Sequence, residues 1–468
     1  MRLRLALLLA LLAAGCAGQK TPAAPATPAR VAVARQPATP AASPAAGSVL
    51  YEVFVRDFSP AGDFQGVIAG LDRIQAAGAN VLWLMPIHPV GRLNRKEPLG
   101  SSYSVTDYRA INPDYGTAAD FRALVSAVHA RGLRLILDWV PNHTAWDHVW
   151  VTQHPDFYVR DEQGRLSVPR DNEGKLTNWT DVAGLDYRNP ALHRAMIADM
   201  RYWLDEFGID GFRVDVAGGV PDDFWRDAIP QLRAGRNILL LAEAGELKMH
   251  ELGFDLTYGW DSYNRLKAVW KGDSTASSYV RHEIEQLRAM PPGGRRLRFT
   301  TNHDETAWDA PPVTLFGGPA GARAAYVATA LLPGAPLLYN GQEVESPQKL
   351  GLFVQEPVSW TLPGADSASA FYRRVLGLVL TIPALAGGEL GSVPTDAQGD
   401  VISFSRGDTS AIVVFVNTRN RPLTFTTSGR SLDGARDLLG GGRPVGGLAG
   451  GRLRLPAFGV LILQLAAR

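Results

Sequence analysis

The chain has little of several features that would assign it to particular protein classes. Its 468 residues include a single cysteine, Cys16, so no disulfide within the chain can support the fold. The 47 basic and 46 acidic residues leave a net charge of +1, which gives no electrostatic basis for binding nucleic acid or an anionic surface. The apolar run Leu5 to Ala14 is too short to span a bilayer as a helix. A disulfide scaffold is therefore excluded, and nucleic acid is not expected as a partner.

The N-terminus has the layout of an export signal. A basic start is followed by the apolar run and by small residues before Cys16. Leu12-Ala-Ala-Gly-Cys16 resembles a bacterial lipoprotein signal, which implies cleavage before Cys16 and acylation of that residue; an ordinary export signal with an incidental cysteine is the alternative. We therefore expect residues 1–16 to be a lipoprotein signal peptide and the protein to be anchored in the cell envelope. Ala17 stands where aspartate often retains lipoproteins at the inner membrane, so the outer membrane or the periplasmic face is favoured.

The rest of the chain divides into three parts by composition and pattern. Residues 17–48 are mostly Ala, Pro, Thr and Ser, which cannot bury a core, so we expect a disordered tether. Residues 49–390 alternate strand-like and helix-like segments, and the near-continuous apolar strands are typical of a parallel sheet covered by helices. Residues 391–468 change to strand patterns between Gly-rich turns, which predicts a C-terminal antiparallel β-sandwich.

Eight strands are predicted in the middle part, which is the number in a (β/α)8 TIM barrel. They are Val49–Val55, Asn80–Pro86, Leu133–Asp138, Ile209–Asp215, Asn237–Glu243, Phe254–Tyr258, Leu297–Asn302 and Ala335–Asn340. About 45 residues rich in Asp, Asn, Pro, Gly and Trp follow the third strand, too many for an ordinary loop, so residues 143–189 are predicted to form a small inserted subdomain.

Polar clusters end four of these strands. They are Asp138-Trp-Val-Pro-Asn142-His143, Gly211-Phe-Arg213-Val-Asp215, Leu240-Leu-Ala-Glu243 and Phe299-Thr-Thr-Asn302-His303-Asp304. Burying so many ionisable groups is unfavourable unless they pair or act, and the carboxyl ends of barrel strands meet at one mouth. Asp215, Glu243 and Asp304 thus place three carboxylates at this mouth, and hydrolysis of glycosides needs two of them, one as a carboxylate and one as a protonated acid. Arg213 shares a strand face with Asp215 and favours the ionised form that a nucleophile needs.

In this order, the clusters resemble the conserved regions of glycoside hydrolase family 13, the α-amylase family. The resemblance runs from about residue 49 to 342 and implies that Asp215 is the nucleophile, Glu243 the acid/base and Asp304 the carboxylate that stabilises the transition state. It also implies four residues that hold the sugar: Tyr103, His143, Arg213 and His303. We therefore expect a retaining hydrolase that cleaves α-1,4 bonds of starch or maltooligosaccharides, acts as a monomer and needs no cofactor for chemistry.

The resemblance leaves several points open. Asn142 resembles a calcium ligand of the family, and its partners would come from the inserted segment, in which the candidates are Asp156, Asp161, Asp171, Glu173 and Asp181. The Lys-His pair that many calcium-binding members carry after the nucleophile is absent, since the chain continues with Val216-Ala-Gly-Gly219. Four tryptophans either line outer sugar subsites or belong to the core: Trp146, Trp150, Trp179 and Trp260.

Three alternatives to the hydrolase remain. The same residues serve transglycosylases and isomerases such as trehalose synthase, in which a sugar hydroxyl replaces water. Others in the family are α-glucosidases or cyclomaltodextrinases. A non-catalytic glucan-binding surface protein is the third, although such relatives typically lose one of the three carboxylates that this chain retains.

Overall fold

A computed structural model describes residues 43–171, 173–407, 411–428, 431–444 and 451–466. These residues belong to one unit that begins at Ser43. The predicted signal peptide, Cys16 and residues 17–42 of the predicted tether lie outside the described ranges.

The first ten strands along the chain are β1 Leu50–Val53, β2 Val81–Leu84, β3 Arg134–Trp139, β4 His143–Ala145, β5 Val182–Gly184, β6 Gly211–Val214, β7 Leu239–Ala242, β8 Leu256–Tyr258, β9 Arg295–Arg298 and β10 Ala335–Tyr339. Eight of them are parallel and close into a barrel in the order β1-β10-β9-β8-β7-β6-β3-β2. The barrel strands are almost wholly buried, as expected for a parallel sheet with helices outside it and side chains filling its interior. The predicted (β/α)8 fold is confirmed.

The helices lie between and after the barrel strands. Their bounds are α1 Val55–Phe58, α2 Phe64–Ala76, α3 Ala118–Ala130, α4 Val149–Gln153, α5 Pro190–Glu206, α6 Asp222–Arg233, α7 Lys248–Glu251, α8 Trp260–Lys271, α9 Ala276–Ala289, α10 His303–Trp308, α11 Pro312–Leu315, α12 Pro319–Ala330, α13 Ala365–Thr381 and α14 Pro383–Gly387. Among the described residues, none of these helices combines the length and the apolar composition needed to cross a bilayer.

Side-chain hydrogen bonds cap the N-termini of α3 and α10. Thr117 and Asp120 form a reciprocal capping box at the start of α3. At α10, the side chain of Asn302 accepts a hydrogen bond from the amide of Glu305, at 2.9 Å. This cap begins a helix directly after the β9 loop and places His303 and Asp304 in its first turn.

The inserted segment contains a short antiparallel pair, β4 with β5, in which His143 lies opposite Gly184. After the barrel, the strands are β11 Leu390–Ser392, β12 Val401–Arg406, β13 Ile412–Asn417, β14 Leu423–Thr426, β15 Arg436–Asp437, β16 Arg443–Pro444, β17 Arg452–Leu455 and β18 Val460–Gln464. They form a six-stranded antiparallel sheet, β11-β12-β13-β18-β15-β16, and a pair, β14-β17. A separate apolar core that includes Phe415 and Phe425 lies between the two sheets, so the C-terminal sandwich is confirmed.

The first described residues pack onto the barrel, although their composition placed them in the tether. Ala45 is fully buried, and Arg134 donates to the carbonyl of Pro44 at 2.8 Å and to the hydroxyl of Ser48 at 2.8 Å. Residues 43–48 therefore belong to the compact unit. The guanidinium of Arg134 at the start of β3 provides the hydrogen-bond donors that hold this segment against the barrel.

Candidate active site

Arg213 is the centre of the polar cluster at the carboxyl end of the barrel. Its side chain is fully buried at the end of β6. Nη1 lies 2.9 Å from Oδ1 of Asp138 and 3.0 Å from Oδ1 of Asp215, and Nη2 lies 2.9 Å from Oε1 of Glu243. One guanidinium thus contacts carboxylates that follow three neighbouring strands, which brings Asp215 and Glu243 together on one side of the mouth.

Strand register explains why these side chains meet. Asp138 on β3 lies directly beside Arg213 on β6 in the parallel ladder, so both side chains leave the same face. Hydrogen bonds continue past the strand ends: the amide of Asp215 donates to the carbonyl of Trp139 at 2.8 Å, and that of Glu243 donates to Val214 at 2.9 Å. The backbone therefore holds each carboxylate at a defined height above the barrel.

The charges in this cluster oppose one another. Burial and the neighbouring Glu243 raise the pKa of Asp215 well above its usual range, while Arg213 acts to lower it. Burial also raises the pKa of Asp138 to about 6, again against the effect of Arg213. Three acidic side chains close to one cation thus compete for it, which is the kind of environment in which carboxyl pKa values are raised.

Val216 holds an unusual backbone conformation beside the cluster. Its φ of 44° and ψ of 42° are left-handed, a region that β-branched residues rarely occupy. In this conformation its amide donates to Oε2 of Glu243 at 2.8 Å. The backbone strain is therefore coupled to a contact that orients a carboxylate of the cluster.

A second charged group lies on the side formed by β1 and α10. Nε2 of His303 is 3.2 Å from Oδ2 of Asp304 and 2.8 Å from the hydroxyl of Tyr103, and Nδ1 is 2.5 Å from Oε1 of Glu52. Burial would raise the pKa of Asp304, but His303 and Arg213 outweigh it and lower that pKa to about 2. Asp304 is thus held ionised across a wide pH range, in contrast to Asp215.

A pocket of about 270 Å³ lies over these groups. Its residues are Lys96, Ser101, Tyr103, His143, Trp179, Asp181, Val182, Asp215, Val216, Glu243, His303, Asp304, Trp308, Leu352 and Phe353. Burial lowers the pKa of His143 to about 4, so this imidazole is neutral near pH 7. The salt bridge between Lys96 and Asp181, 2.6 Å long, joins the loop after β2 to the inserted segment along the wall.

The outer rim of the pocket is aromatic. Trp308 is 65% exposed, and its ring packs edge-on against Phe353 with centroids 6.0 Å apart. Trp179 packs edge-on against His143 at 5.6 Å. The pocket therefore combines a charged floor with flat apolar faces, a combination that suits a ring carrying hydroxyl groups.

The structure brings together all seven residues that the sequence assigned to catalysis and sugar binding, since six line the pocket and Arg213 lies beneath it. Of the four candidate tryptophans, Trp179 lines the pocket, whereas Trp150 is a core residue, only 6% exposed. Trp146 and Trp260 are partly buried and pack against the core.

Sequence reasoning missed three residues of this region. Glu52 carried a signal, because an acidic residue inside the apolar run of β1 needs a buried partner. Asp138 stood in a polar cluster but received no role, and it now anchors Arg213 and Tyr103. Trp308 carried no signal of its own, because only the turn of α10 brings it to the rim.

The residues around Asn142 do not fit a calcium ion. Its side-chain amide lies 3.3 Å from Nδ1 of His143. The carboxylates suggested as partners are engaged elsewhere: Asp156 with Asn189, Asp161 with Arg165, Asp171 with the amides of its own turn, Glu173 with Lys175 and Asp181 with Lys96. The pocket beside Asn142 is lined by three arginines, Arg160, Arg170 and Arg188. Calcium needs six or more oxygen ligands, and in the described part of the chain no group of three His, Cys, Asp or Glu side chains could hold a metal.

Comparisons with known proteins agree with this geometry. A family profile described as the α-amylase catalytic domain matches residues 45–238. The alpha-amylase MalA of Haloarcula japonica is 30% identical over 392 residues, which cover 81% of this chain and 56% of that protein. The trehalose synthase of a Pimelobacter species is 34% identical over 200 residues, 36% of this chain and 34% of that protein. This chain therefore spans only part of the length of the curated relatives that it matches.

A solved structure is similar over nearly the whole chain. The crystal structure of an alpha-amylase from Lactobacillus plantarum superposes with a TM-score of 0.78 and 32% identity, covering 90% of this chain and 99% of that one. Barrel, inserted segment and C-terminal sheets are thus shared at an identity that indicates common descent. The chain belongs to the α-amylase family of glycoside hydrolases, family 13.

Proposed function

We propose that the protein is a retaining α-glucan hydrolase that cleaves α-1,4-glucosidic bonds of starch or maltooligosaccharides. The observation that supports this most is the single guanidinium of Arg213 in contact with both Asp215 and Glu243. A retaining glycosidase needs two carboxyl groups close together beside the same bond. Asp304, held ionised by His303 across the pocket, supplies a third negative charge near a developing oxocarbenium ion.

The proposed reaction is a double displacement. Oδ of Asp215 attacks the anomeric carbon while Glu243 gives its proton to the leaving glycosidic oxygen, and the glycosyl-aspartate ester forms as that bond breaks. Glu243 then removes a proton from water, which attacks the same carbon and releases Asp215. In the free enzyme Oε2 of Glu243 accepts from the amide of Val216 and Oε1 forms an ion pair with Arg213, so its carboxyl turns from Arg213 toward the substrate to act as an acid. Tyr103, His143, Arg213 and His303 hold the sugar.

Two related activities use the same groups. The similarity to a trehalose synthase over 200 residues supports a transglycosylase or isomerase as the second candidate, in which a sugar hydroxyl takes the place of water. An α-glucosidase or cyclomaltodextrinase would differ only in the substrates that reach the pocket.

Product analysis tests the proposal and separates these activities. The purified protein is incubated with starch, maltotriose, pullulan and cyclodextrin, and products are resolved over time by chromatography, with the anomeric form of the first product read by NMR. Glucose and maltose released initially as α-anomers support the hydrolase. Trehalose or longer sugars in excess over reducing products support the second candidate, and β-anomers contradict both.

We also propose that the chain is exported and anchored by a lipid on Cys16, on the basis of the residues before that cysteine. Expression of Cys16→Ser beside the wild type in a bacterial host fed labelled palmitate tests this. Label on the wild type alone and release of the variant from the membrane fraction are the expected results. Equal membrane binding without label would contradict it.

A further inference from the structure

Glu52 lies in the middle of β1 with its carboxyl group fully buried among the groups of the mouth. Oε1 is 2.5 Å from Nδ1 of His303, and among the described residues Oε2 has no hydrogen-bond partner. A buried carboxylate is costly unless a charged or donating partner compensates it. His303 is the one side chain that donates a hydrogen bond to it in the described part of the chain, which ties an internal strand residue to the substrate pocket.

The other nitrogen of His303 also faces groups that accept hydrogen bonds. The hydroxyl of Tyr103 donates to Oδ2 of Asp138 at 3.0 Å, so at Nε2 of His303, 2.8 Å away, it is left to accept. Asp304 is ionised and only accepts, and its Oδ2 lies 3.2 Å from the same nitrogen. Nε2 therefore carries a proton, and Nδ1 carries one as well when Glu52 is ionised.

Electrostatics favours a protonated His303, whose charge also lowers the pKa of Glu52 against the larger effect of burial, which raises it. Burial alone would lower the pKa of His303, but Asp304 and Glu52 outweigh it and raise that pKa well above its usual range. The titratable and charged groups that face this pair from the surrounding elements are Glu52, Tyr103, Asp138, Arg213, Tyr258, Asp304 and Tyr339. Arg213 is the only cation among them, and it is already shared by Asp138, Asp215 and Glu243.

We propose that Glu52 is a positioning residue that keeps His303 doubly protonated, so that Nε2–H is fixed as a donor toward Asp304, Tyr103 and the sugar. A neutral imidazole has two tautomers, and one of them turns Nε2 into an acceptor that faces other acceptors. Glu52 favours protonation of both nitrogens through its hydrogen bond with Nδ1, without contacting the substrate. The effect of Glu52 on catalysis rests on the proposed glucan hydrolysis, whereas the protonation of His303 can be measured without it.

The test compares Glu52→Gln with Glu343→Gln in the whole chain. Glu343 is a matched control: it is equally buried, has one oxygen without a partner among the described residues, and accepts from the hydroxyl of Tyr51 at 2.5 Å, on the opposite face of β1. The nine histidines are isotope-labelled and titrated by NMR, with His303 identified by the signal missing from His303→Gln. We expect the pKa of His303 to lie above that of an ordinary histidine in the wild type and in Glu343→Gln. In Glu52→Gln its pKa should fall by about one to two units.

A kinetic readout follows from the same shift. In Glu52→Gln, the alkaline limb of the kcat/KM profile on maltotriose should lie at lower pH than in the wild type. Along this limb kcat/KM should fall about tenfold for each pH unit above the new pKa of His303. Glu52→Asp keeps the charge and should restore part of the wild-type profile. An equal His303 titration in wild type and Glu52→Gln overturns the inference.

Two further outcomes also decide it. If Glu52→Gln does not fold, the wild-type titration is sufficient, since a His303 that is neutral at pH 7 overturns the inference and a protonated one supports it together with Glu52→Asp. If the wild type hydrolyses no glucan, the proposed function fails, whereas the NMR titration still supports or overturns the role of Glu52.

Discussion

Three arginines are fully buried among the described residues, and two of them, Arg213 and Arg406, are satisfied in opposite ways. Arg213 at the barrel mouth contacts three carboxylates, those of Asp138, Asp215 and Glu243. Arg406 at the end of β12 pairs with no carboxylate in the described part of the chain. It donates instead to the carbonyls of Leu331, Leu385 and Gly388, at 2.6 to 3.2 Å.

The difference separates a reactive cluster from a structural one. At Arg406, burial and the nearby Arg298 and Arg295 lower the pKa to about 9, and fixed carbonyl dipoles satisfy the cation. At Arg213, carboxylates outweigh burial and hold the pKa well above its usual range. Excess negative charge around Arg213 leaves Asp215 with a raised pKa, whereas the groups that face Arg406 are backbone carbonyls and two further arginines. Competition for a buried cation is thus the mark of the catalytic end of this barrel.

Asp215→Asn should have the largest effect and act in opposite directions on activity and stability. As proposed nucleophile, Asp215 is needed for turnover, so kcat on maltotriose should fall by about 10⁴-fold. Folding raises the pKa of Asp215, so the ionised carboxylate destabilises the folded state. This destabilisation is absent below the pKa of the unfolded state and complete above the pKa of the folded state. The amide should therefore stabilise the protein by about 1–2 kcal/mol at pH 7, and by less as the pH falls.

Turnover assays and thermal unfolding at several pH values check this prediction. Asp227→Asn is a suitable control, since this aspartate lies on α6 outside the mouth and should change neither quantity. Near-wild-type hydrolysis by Asp215→Asn would contradict the proposed mechanism, and a lower melting temperature at pH 7 would contradict the raised pKa.

Arg406→Lys should show the reverse pattern. Lysine keeps the charge but cannot reach three carbonyls from one planar group, so the free energy of unfolding should fall by about 2–4 kcal/mol while kcat stays unchanged. Urea unfolding measures the loss, and Arg454→Lys on the exposed side of β17 is the control with no expected change. A large loss of kcat with intact folding would show that the two arginines do not differ as described.

Glu243→Ala should sharpen the account of the reactive cluster. The charge of Glu243 is a cause of the raised pKa of Asp215, so its removal should lower that pKa. The nucleophile must be ionised, and the acid limb of kcat/KM should therefore move to lower pH by about one unit. An activated aryl α-maltoside, whose leaving group needs no proton, makes the profile measurable. Glu246→Ala, an exposed carboxylate three residues on, should leave the limb in place.

Sequence patterns predicted the barrel well where strands are apolar and poorly where they are charged. The strands before Asp215 and Glu243 ended close to their predicted positions. The seventh strand was placed at 297–302 but lies at Arg295–Arg298, because three of its four residues are arginines that pack their stems and pair with groups outside the strand. The two-residue strands β15 and β16 gave no apolar pattern to detect, whereas the alternating leucines of β17 were overlooked.

The candidate site shows the same division. Residues named from strand ends met in one pocket, since parallel strands that close into a barrel must bring their carboxyl ends together. The left-handed backbone of Val216 was not predictable, because valine disfavours it and only the closed barrel imposes it. The calcium hypothesis at Asn142 failed because it required side-chain pairings within the inserted segment, which local sequence does not determine.

Trp308→Ala should have the smallest effect and extend the comparison from the charged floor to the apolar rim. The exposed indole lies beside Phe353 at the pocket edge, within the turn that follows Asp304, and is a minor contributor to the lowered pKa of that carboxylate. Stacking of a distant glucosyl unit on this face would contribute about 1 kcal/mol. KM for maltotetraose and longer chains should therefore rise about fivefold, with kcat nearly unchanged.

Substrate length provides the internal control for this rim. An aryl α-glucoside that ends before the rim should be hydrolysed equally by wild type and Trp308→Ala, and Leu380→Ala, which removes an exposed apolar side chain from α13, should alter neither substrate. A fall in kcat for both substrates would mean that Trp308 supports Asp304 and belongs with the charged cluster. An increase in KM confined to long chains would instead show that the rim binds distant sugar units. Bond cleavage would then depend on the carboxyl groups around Arg213, because only these change protonation during the reaction.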